Sequence, residues 1–245
     1  VTFFQKLLSD QQFKSIIGVY LSLSFIGCLM VLYRIFITLE IDYLYLIWNL
    51  FLAWIPFGLS VLIRSIYFKN TGSKKRNIAI LLAGVVWFFF YPNAPYMITD
   101  FIHFRGIKFY LYKDGRFAGF NDDFIVWYDF VMNSIFILTG FLLGFLSLYL
   151  LQRVIFVKIG KVSSWGFVCG VLLFSSFGIY LGRFIRWNTW DIVSNPVSLM
   201  KSVMESLHLQ ALSFTFLFSF FLLLIYIALY QLTYLNLLKD KSWSE

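Results

Sequence analysis

The sequence predicts an all-α integral membrane bundle of six transmembrane helices, and three observations carry that prediction. Of its 245 residues, 60% are hydrophobic and only 13% are charged, about half the charge of a soluble domain, and the mean hydropathy is +0.80. The apolar residues fall into six runs of roughly 18 residues or more, enough for a helix to cross ~30 Å of hydrocarbon. Lys and Arg gather in the short segments between those runs, where a membrane protein keeps them.

Taken in order, residues 1–14 carry Lys6, Asp10 and Lys14 and read as an interfacial lead-in. The first span covers 16–33 and ends at Arg34, a side chain long enough to snorkel to the interface. No small-residue cleavage site follows it, so it reads as a retained helix and not a signal peptide. The chain starts at Val1, so further residues are expected before it. The second span, 43–66, contains Pro56, which predicts a kink, and Asn49. A basic loop follows, with Arg64, Lys69, Lys74, Lys75 and Arg76 around Thr71-Gly72-Ser73. The third span runs from Ile78 into Tyr91-Pro92-Asn93-Ala94-Pro95-Tyr96.

That stretch breaks the helix. Two prolines three apart lack two N–H donors and clash with the preceding turn, so the span ends near Tyr91. A helix restarting with Asn93 as its N-cap and Pro95 in its first turn would put Tyr96, Asp100 and His103 at i, i+4 and i+7 on one face, with Thr99 beside them. Broken backbone at membrane depth is tolerated only where protein or water covers it. An acid and an imidazole there are costly unless they face inward, which marks a functional site.

Residues 104–123 alternate aromatics with charge. Asp114-Gly115 predicts a hairpin turn, and a segment lying on the lipid surface is the alternative. The fourth span, 124–151, carries Asp129 and, one turn deeper, Asn133. Arg153, Lys158 and Lys161 form a second basic loop. The fifth span, 165–181, leads into Gly182-Arg183-Phe184-Ile185-Arg186-Trp187-Asn188-Thr189-Trp190-Asp191. Gly178 and Gly182 are spaced for close helix packing. Asn195-Pro196 starts an amphipathic interfacial helix before the last span, with His208 on its polar face. The sixth span is 211–235, and a polar tail starts at Lys239. No linker or repeat divides the chain, so 1–245 reads as one polytopic domain.

The block Pro92-Asn93-Ala94-Pro95-Tyr96, with Thr99-Asp100 and His103 after it, resembles the signature of a family of bacterial multi-pass membrane proteins, domain of unknown function 1361. The Gly182–Asp191 block is similar to that family too. The resemblance implies a polytopic membrane fold and no particular activity.

Orientation follows from the basic residues. With both termini cytoplasmic, the inner side holds 12 Lys and Arg against 8 outside, and acids divide 3 to 9. The net inner charge of +9 suits anionic lipid at a bacterial cytoplasmic membrane, and nucleic acid is excluded as a partner. The helix break, Asp129 and the Arg183–Asp191 block then all lie at the outer end.

Three side chains are the catalytic candidates: Asp100, His103 and Asp129. The same three are candidate ligands for a divalent metal, with Asp191 as an alternative third ligand, because carboxylate and imidazole suit Zn²⁺, Mn²⁺ or Fe²⁺. The alternative is a polar cluster that locks helices together. Candidate ligand-binding residues are Asn93, Tyr96, Thr99, Arg183, Arg186, Asn188 and Asp191. Arg183 and Arg186, at i and i+3, have forks that suit phosphate or carboxylate. Isolated charges at this depth cost about 2.5–3.5 kcal/mol each, so carboxylates and arginines of the third, fourth and fifth helices are expected to pair.

No His-Glu-x-x-His, Gly-x-Ser-x-Gly or nucleotide-phosphate loop is present. The first functional expectation is an outward polar pocket for a lipid head group or another anionic envelope molecule, in an accessory subunit of a membrane complex. The second is a membrane-embedded hydrolase or transferase acting on a lipid-linked substrate. The third is a small transporter, to which only the broken helix points.

Overall fold

The computed structural model describes residues 10–69, 73–106 and 108–242. Its elements are α1 (Asp10–Thr38), α2 (Leu44–Lys69), α3 (Lys74–Phe90), α4 (Asn93–Tyr96), a 3-10 segment (Met97–Gly106), β1 (Tyr110–Lys113), β2 (Arg116–Phe120), α5 (Phe124–Ile159), α6 (Lys161–Tyr180), a π turn (Leu181–Ile185), α7 (Asp191–Ser194), α8 (Pro196–Glu205) and α9 (Leu209–Ser242). Among the described residues, six helical stretches are long and apolar enough to cross a membrane: Phe13–Thr38, Leu44–Lys69, Lys74–Phe104, Phe124–Ile159, Lys161–Ile185 and Leu209–Thr233. The chain is therefore a multi-pass, all-α membrane protein, and the third span is the broken one. Most of the expected lead-in, and Thr71-Gly72 of the first basic loop, lie outside the described residues.

Helix ends differ from the hydropathy reading at the charged segments. The fourth span does not stop at 151. α5 runs on to Ile159, so the second basic loop shrinks to Gly160, whose φ of +94° makes the reversal. The reason is local. Arg153 is held one turn back by the Tyr149 hydroxyl, through Nε at 3.1 Å and Nη2 at 2.9 Å, and lies over the Tyr149 ring. Lys and Arg are good helix formers, so here they mark a membrane edge and not a helix end. Likewise α9 continues through Lys239 to Ser242 in place of a polar tail. His208 follows α8 and does not sit on it. Its Nδ1 accepts from the Ala211 N–H at 3.4 Å and so caps α9.

The chain packs as two compact units, each built from two separate stretches. The first comprises Val1–Phe51 and Met97–Leu143. Its core includes Val31, Leu46, Met97, Met132 and Phe136, all fully buried. The hairpin belongs to it. Asp114 (φ 52°) and Gly115 (φ 73°) form the two-residue turn with both dihedrals positive, the geometry that Asp-Gly favours. β1 and β2 pair antiparallel, with an irregularity between Leu111 and Tyr112. Tyr110, Tyr112, Phe117 and Phe120 are all exposed on it, an aromatic surface of the kind that seats at a lipid interface.

The second unit comprises Leu52–Tyr96 and Gly144–Glu245. α6 packs along α9, and Trp87, Tyr91, Leu148, Val168 and Ile179 form the core. Buried polar groups pair across its helices, because a donor or acceptor shut away from water must find its partner inside the protein. The Trp87 indole donates to Ser147 Oγ at 2.8 Å, which donates to the Pro56 carbonyl at 2.8 Å. The Tyr226 hydroxyl donates to Gln152 Oε1 at 2.6 Å. α8 begins on Pro196, as the Asn-Pro pair predicts, and leaves Val197, Met200 and Met204 exposed along one side.

Candidate functional site

In the first unit the polar residues form a chain of contacts running from α1 to the 3-10 segment. Asp129 is buried on α5 and takes its cation from the first helix. Arg34 Nε meets Oδ1 at 2.7 Å, and Nη2 meets Oδ2 at 3.1 Å. The Tyr43 hydroxyl also donates to Oδ2, at 2.8 Å. Burial, then this bond to the carboxylate, push the Tyr43 phenol well above its ordinary range. Arg34 is only 7% exposed. Its Nη1 makes no hydrogen bond and faces Glu40 at 3.7 Å. The expectation that later helices supply the cation is thus corrected for Asp129, and so is the reading of Arg34 as an end-residue reaching for the interface.

From Asp129 the contacts continue inward. Asn133 Nδ2 donates to the Asp129 carbonyl at 2.7 Å, and Tyr45 donates to Asn133 Oδ1 at 3.3 Å. The Tyr45 ring lies 4.9 Å from that of His103. His103 Nε2 is 3.8 Å from Asp100 Oδ1, and Asn49 Nδ2 donates to Asp100 Oδ2 at 3.0 Å. The backbone from Met97 is 3-10 and not α, so residues three apart eclipse. Met97, Asp100 and His103 share a row, which corrects the expected row of Tyr96, Asp100 and His103. Met97 is fully buried, Asp100 is 1% exposed, and the His103 side chain is 46% exposed. A buried carboxylate thus stands behind an accessible imidazole. Thr99 is half-buried one residue before Asp100.

The expected metal set of Asp100, His103 and Asp129 does not assemble. Among the described residues no three His, Cys, Asp or Glu side chains group as a metal site. Asp129 already has both oxygens occupied, and two donors fall short of the three or four that Zn²⁺ takes from protein.

In the second unit the two sequence blocks meet. Asn93 Nδ2 donates to Thr189 Oγ1 at 2.9 Å and to the Phe90 carbonyl at 2.8 Å. It therefore satisfies an orphan carbonyl at the end of α3 and does not act as the N-cap of the restarted helix. The Arg183 guanidinium lies 4.3 Å from the Tyr96 ring centroid, a cation–π distance. Gly178 and Gly182 receive the broken segment. A Cβ at Gly178 would come within 3.3 Å of Pro92, and one at Gly182 within 3.3 Å of Tyr96. The reversal after the break packs against α6 because these two positions have no side chain.

Past Gly182 the helix widens into the π turn and stops at Arg186, whose φ is +65°. The Trp187 N–H closes the turn on the Leu181 carbonyl at 3.3 Å. The i, i+3 facing of Arg183 and Arg186, which an α-helix would give, is lost. Arg183 is half-buried against Tyr96, and Arg186 is exposed. Asp191 organises the loop that follows. Its Oδ2 accepts from the Asn188 N–H at 2.7 Å, and its Oδ1 accepts from the Ser194 hydroxyl at 3.3 Å.

A family model described as Protein of unknown function (DUF1361) matches residues 48–225. The chain belongs to that family. No curated protein and no solved structure matches it. The match takes in both blocks of this DUF1361 chain, whereas Arg34, Tyr43 and Tyr45 lie before it. Nothing in the local sequence marks Arg34 as the partner of Asp129, because an Arg closing an apolar span is common and the two residues are 95 apart.

Proposed function

We propose that this DUF1361 protein is a membrane-embedded binding protein of the bacterial cytoplasmic membrane, with both termini cytoplasmic, whose Arg183–Asp191 end holds an anionic head group on the outer side. A lipid head group and another anionic envelope molecule share the required chemistry, and an accessory role beside a membrane partner suits a binding module. The observation that carries the reading is Arg186. It closes α6 in the left-handed conformation, where Gly is the ordinary choice and any other L-residue costs roughly 1–2 kcal/mol. The turn does not need arginine, and the side chain is exposed, so a ligand for the guanidinium supplies the reason for the residue. Arg183, held over Tyr96, adds a second cation in a fixed place. Asp191, the carboxylate of this block, is engaged by its own loop.

The experiment is a titration of purified protein in micelles with short-chain, water-soluble phosphatidylglycerol, with the matching phosphatidylcholine as control. Binding of the anionic lipid is expected to weaken about tenfold or more in Arg186→Gln and in Arg183→Gln, the size of one lost charge-assisted contact. Equal affinity for the two lipids, or indifference to both substitutions, overturns the reading.

One observation favours a second reading. The buried Asp100 behind the accessible His103 is the arrangement of a base oriented by an acid, which suits a hydrolase or transferase acting on a lipid-linked substrate. Under that reading His103→Gln abolishes turnover while leaving head-group binding intact.

A further inference from the structure

At the far end of the same helices in the second unit lies a groove of about 740 Å³, within the range of roughly 300–1,000 Å³ typical of small-molecule sites. Its walls come from α2, α3, α5 and the start of α6, and they are mostly apolar. Leu81 and Val85 line it and are 65% and 48% exposed. Two cations, Arg76 and Lys158, line it as well, with Asn77 and Tyr67. Arg76 lies 5.9 Å from the Tyr67 ring centroid, and its Nε and Nη2 donate to Asn77 Oδ1 at 3.4 and 3.3 Å. Tyr67 and Asn77 are uncharged and position the guanidinium at the groove.

Charge decides what fills the groove. Between Asp42 and Asp100 the chain has five Lys and Arg and no acid, and between Asp129 and Asp191 it has five more and again no acid. Every wall of the groove comes from those two stretches. The chain segments that build the site therefore supply cation and apolar surface and no carboxylate. In a bilayer, one class of molecule brings an anion joined to a long apolar body. We infer that the groove holds an anionic diacyl phospholipid, with its phosphate at Arg76 and Lys158 and an acyl chain along Leu81, Gly84 and Val85. This site is separate from the Arg183–Arg186 end. The two lie at opposite ends of α6, about 30 Å apart by its 20 residues at ~1.5 Å each.

The test is native mass spectrometry of the full chain released from micelles containing equal long-chain phosphatidylglycerol and phosphatidylethanolamine. The wild type is expected to retain phosphatidylglycerol on the order of tenfold over phosphatidylethanolamine, the effect of two cations near an anionic head group. A chain carrying Arg183→Gln and Arg186→Gln, which silences the other end, should keep that preference, and adding Arg76→Gln with Lys158→Gln should remove it. Gly84→Leu, at a position with open space beside it, should expel the lipid bound in the groove. Arg186→Gln should leave the species that Gly84→Leu removes, which keeps a failure here distinct from a failure at the other end. Equal retention of the two lipids by the wild type overturns the inference. So does a preference that survives all four substitutions, or one already lost with Arg183→Gln and Arg186→Gln alone.

Discussion

Replacing Asp129 by Asn leaves Arg34 charged, 7% exposed, and without the carboxylate that its Nε and Nη2 now meet at 2.7 and 3.1 Å. Removing one partner of a buried pair costs about 3–5 kcal/mol, because the other charge stays buried and uncompensated. Glu40 cannot take over, since it stands 3.7 Å from Nη1 alone and is exposed. The double change Arg34→Met with Asp129→Leu removes both charges, and such swaps are often neutral or stabilising by about 1–4 kcal/mol. Here the gain is offset by the Tyr43 hydroxyl, which loses its acceptor at a cost of about 1–3 kcal/mol. The double variant is therefore expected near wild type. Thermal unfolding in one detergent, followed by circular dichroism, should show Asp129→Asn lowered by on the order of 10 °C, from about 2–4 °C per kcal/mol for a chain of this size. An Arg34 that merely snorkels to the interface would make Asp129→Asn nearly silent. A drop under about 1 kcal/mol, or a double variant no better than the single, would refute the buried lock.

Arg186→Gly and Arg186→Ala both remove the guanidinium, but only Gly relieves the left-handed backbone. The Gly variant should unfold about 1 kcal/mol later than the Ala variant while binding head groups equally poorly, and equal stabilities would contradict the geometry. The Tyr43 phenol is raised from its usual value of 10.0, so its contribution to stability is fully present below that pH and is lost as pH rises toward the folded value. Wild type should lose stability more steeply above pH ~10 than Tyr43→Phe, and parallel curves would sink the bond to Asp129. With Cys28 and Cys169 replaced by Ala, a cysteine at Tyr112 should react with an impermeant thiol reagent in intact cells and one at Val162 should not. Both positions are exposed, so the reverse pattern would invert the orientation.

The broad fold was legible because membrane physics leaves few options. Six apolar runs must be helices and two prolines three apart must break one of them, while Asp114-Gly115 offered a hairpin turn beside the alternative of a segment lying on the lipid surface. Gly178 and Gly182 were readable as packing positions, though their occupants turned out to be Pro92 and Tyr96 of the break. What could not be read depended on packing over distance or on backbone that no residue type announces. Arg34 finds Asp129 across 95 residues. The 3-10 winding after Met97 puts Met97, and not Tyr96, in the row with Asp100 and His103. Arg186 stands where a Gly would have signalled a left-handed helix end, so the π turn had no visible marker. Asn93 reads from sequence as the N-cap of the restarted helix, and only the positions of Phe90 and Thr189 show that it points back to α3 instead.

The central claim is that the Arg183–Asp191 end holds an anionic head group, and a density map of the protein in a bilayer disc containing phosphatidylglycerol tests it most directly. The account predicts phosphate-shaped density about 3 Å from guanidinium nitrogens of Arg183 or Arg186, lost in Arg186→Gly, whose chain follows the same turn. A wild-type map with both guanidinium groups ordered and only water beside them would contradict it.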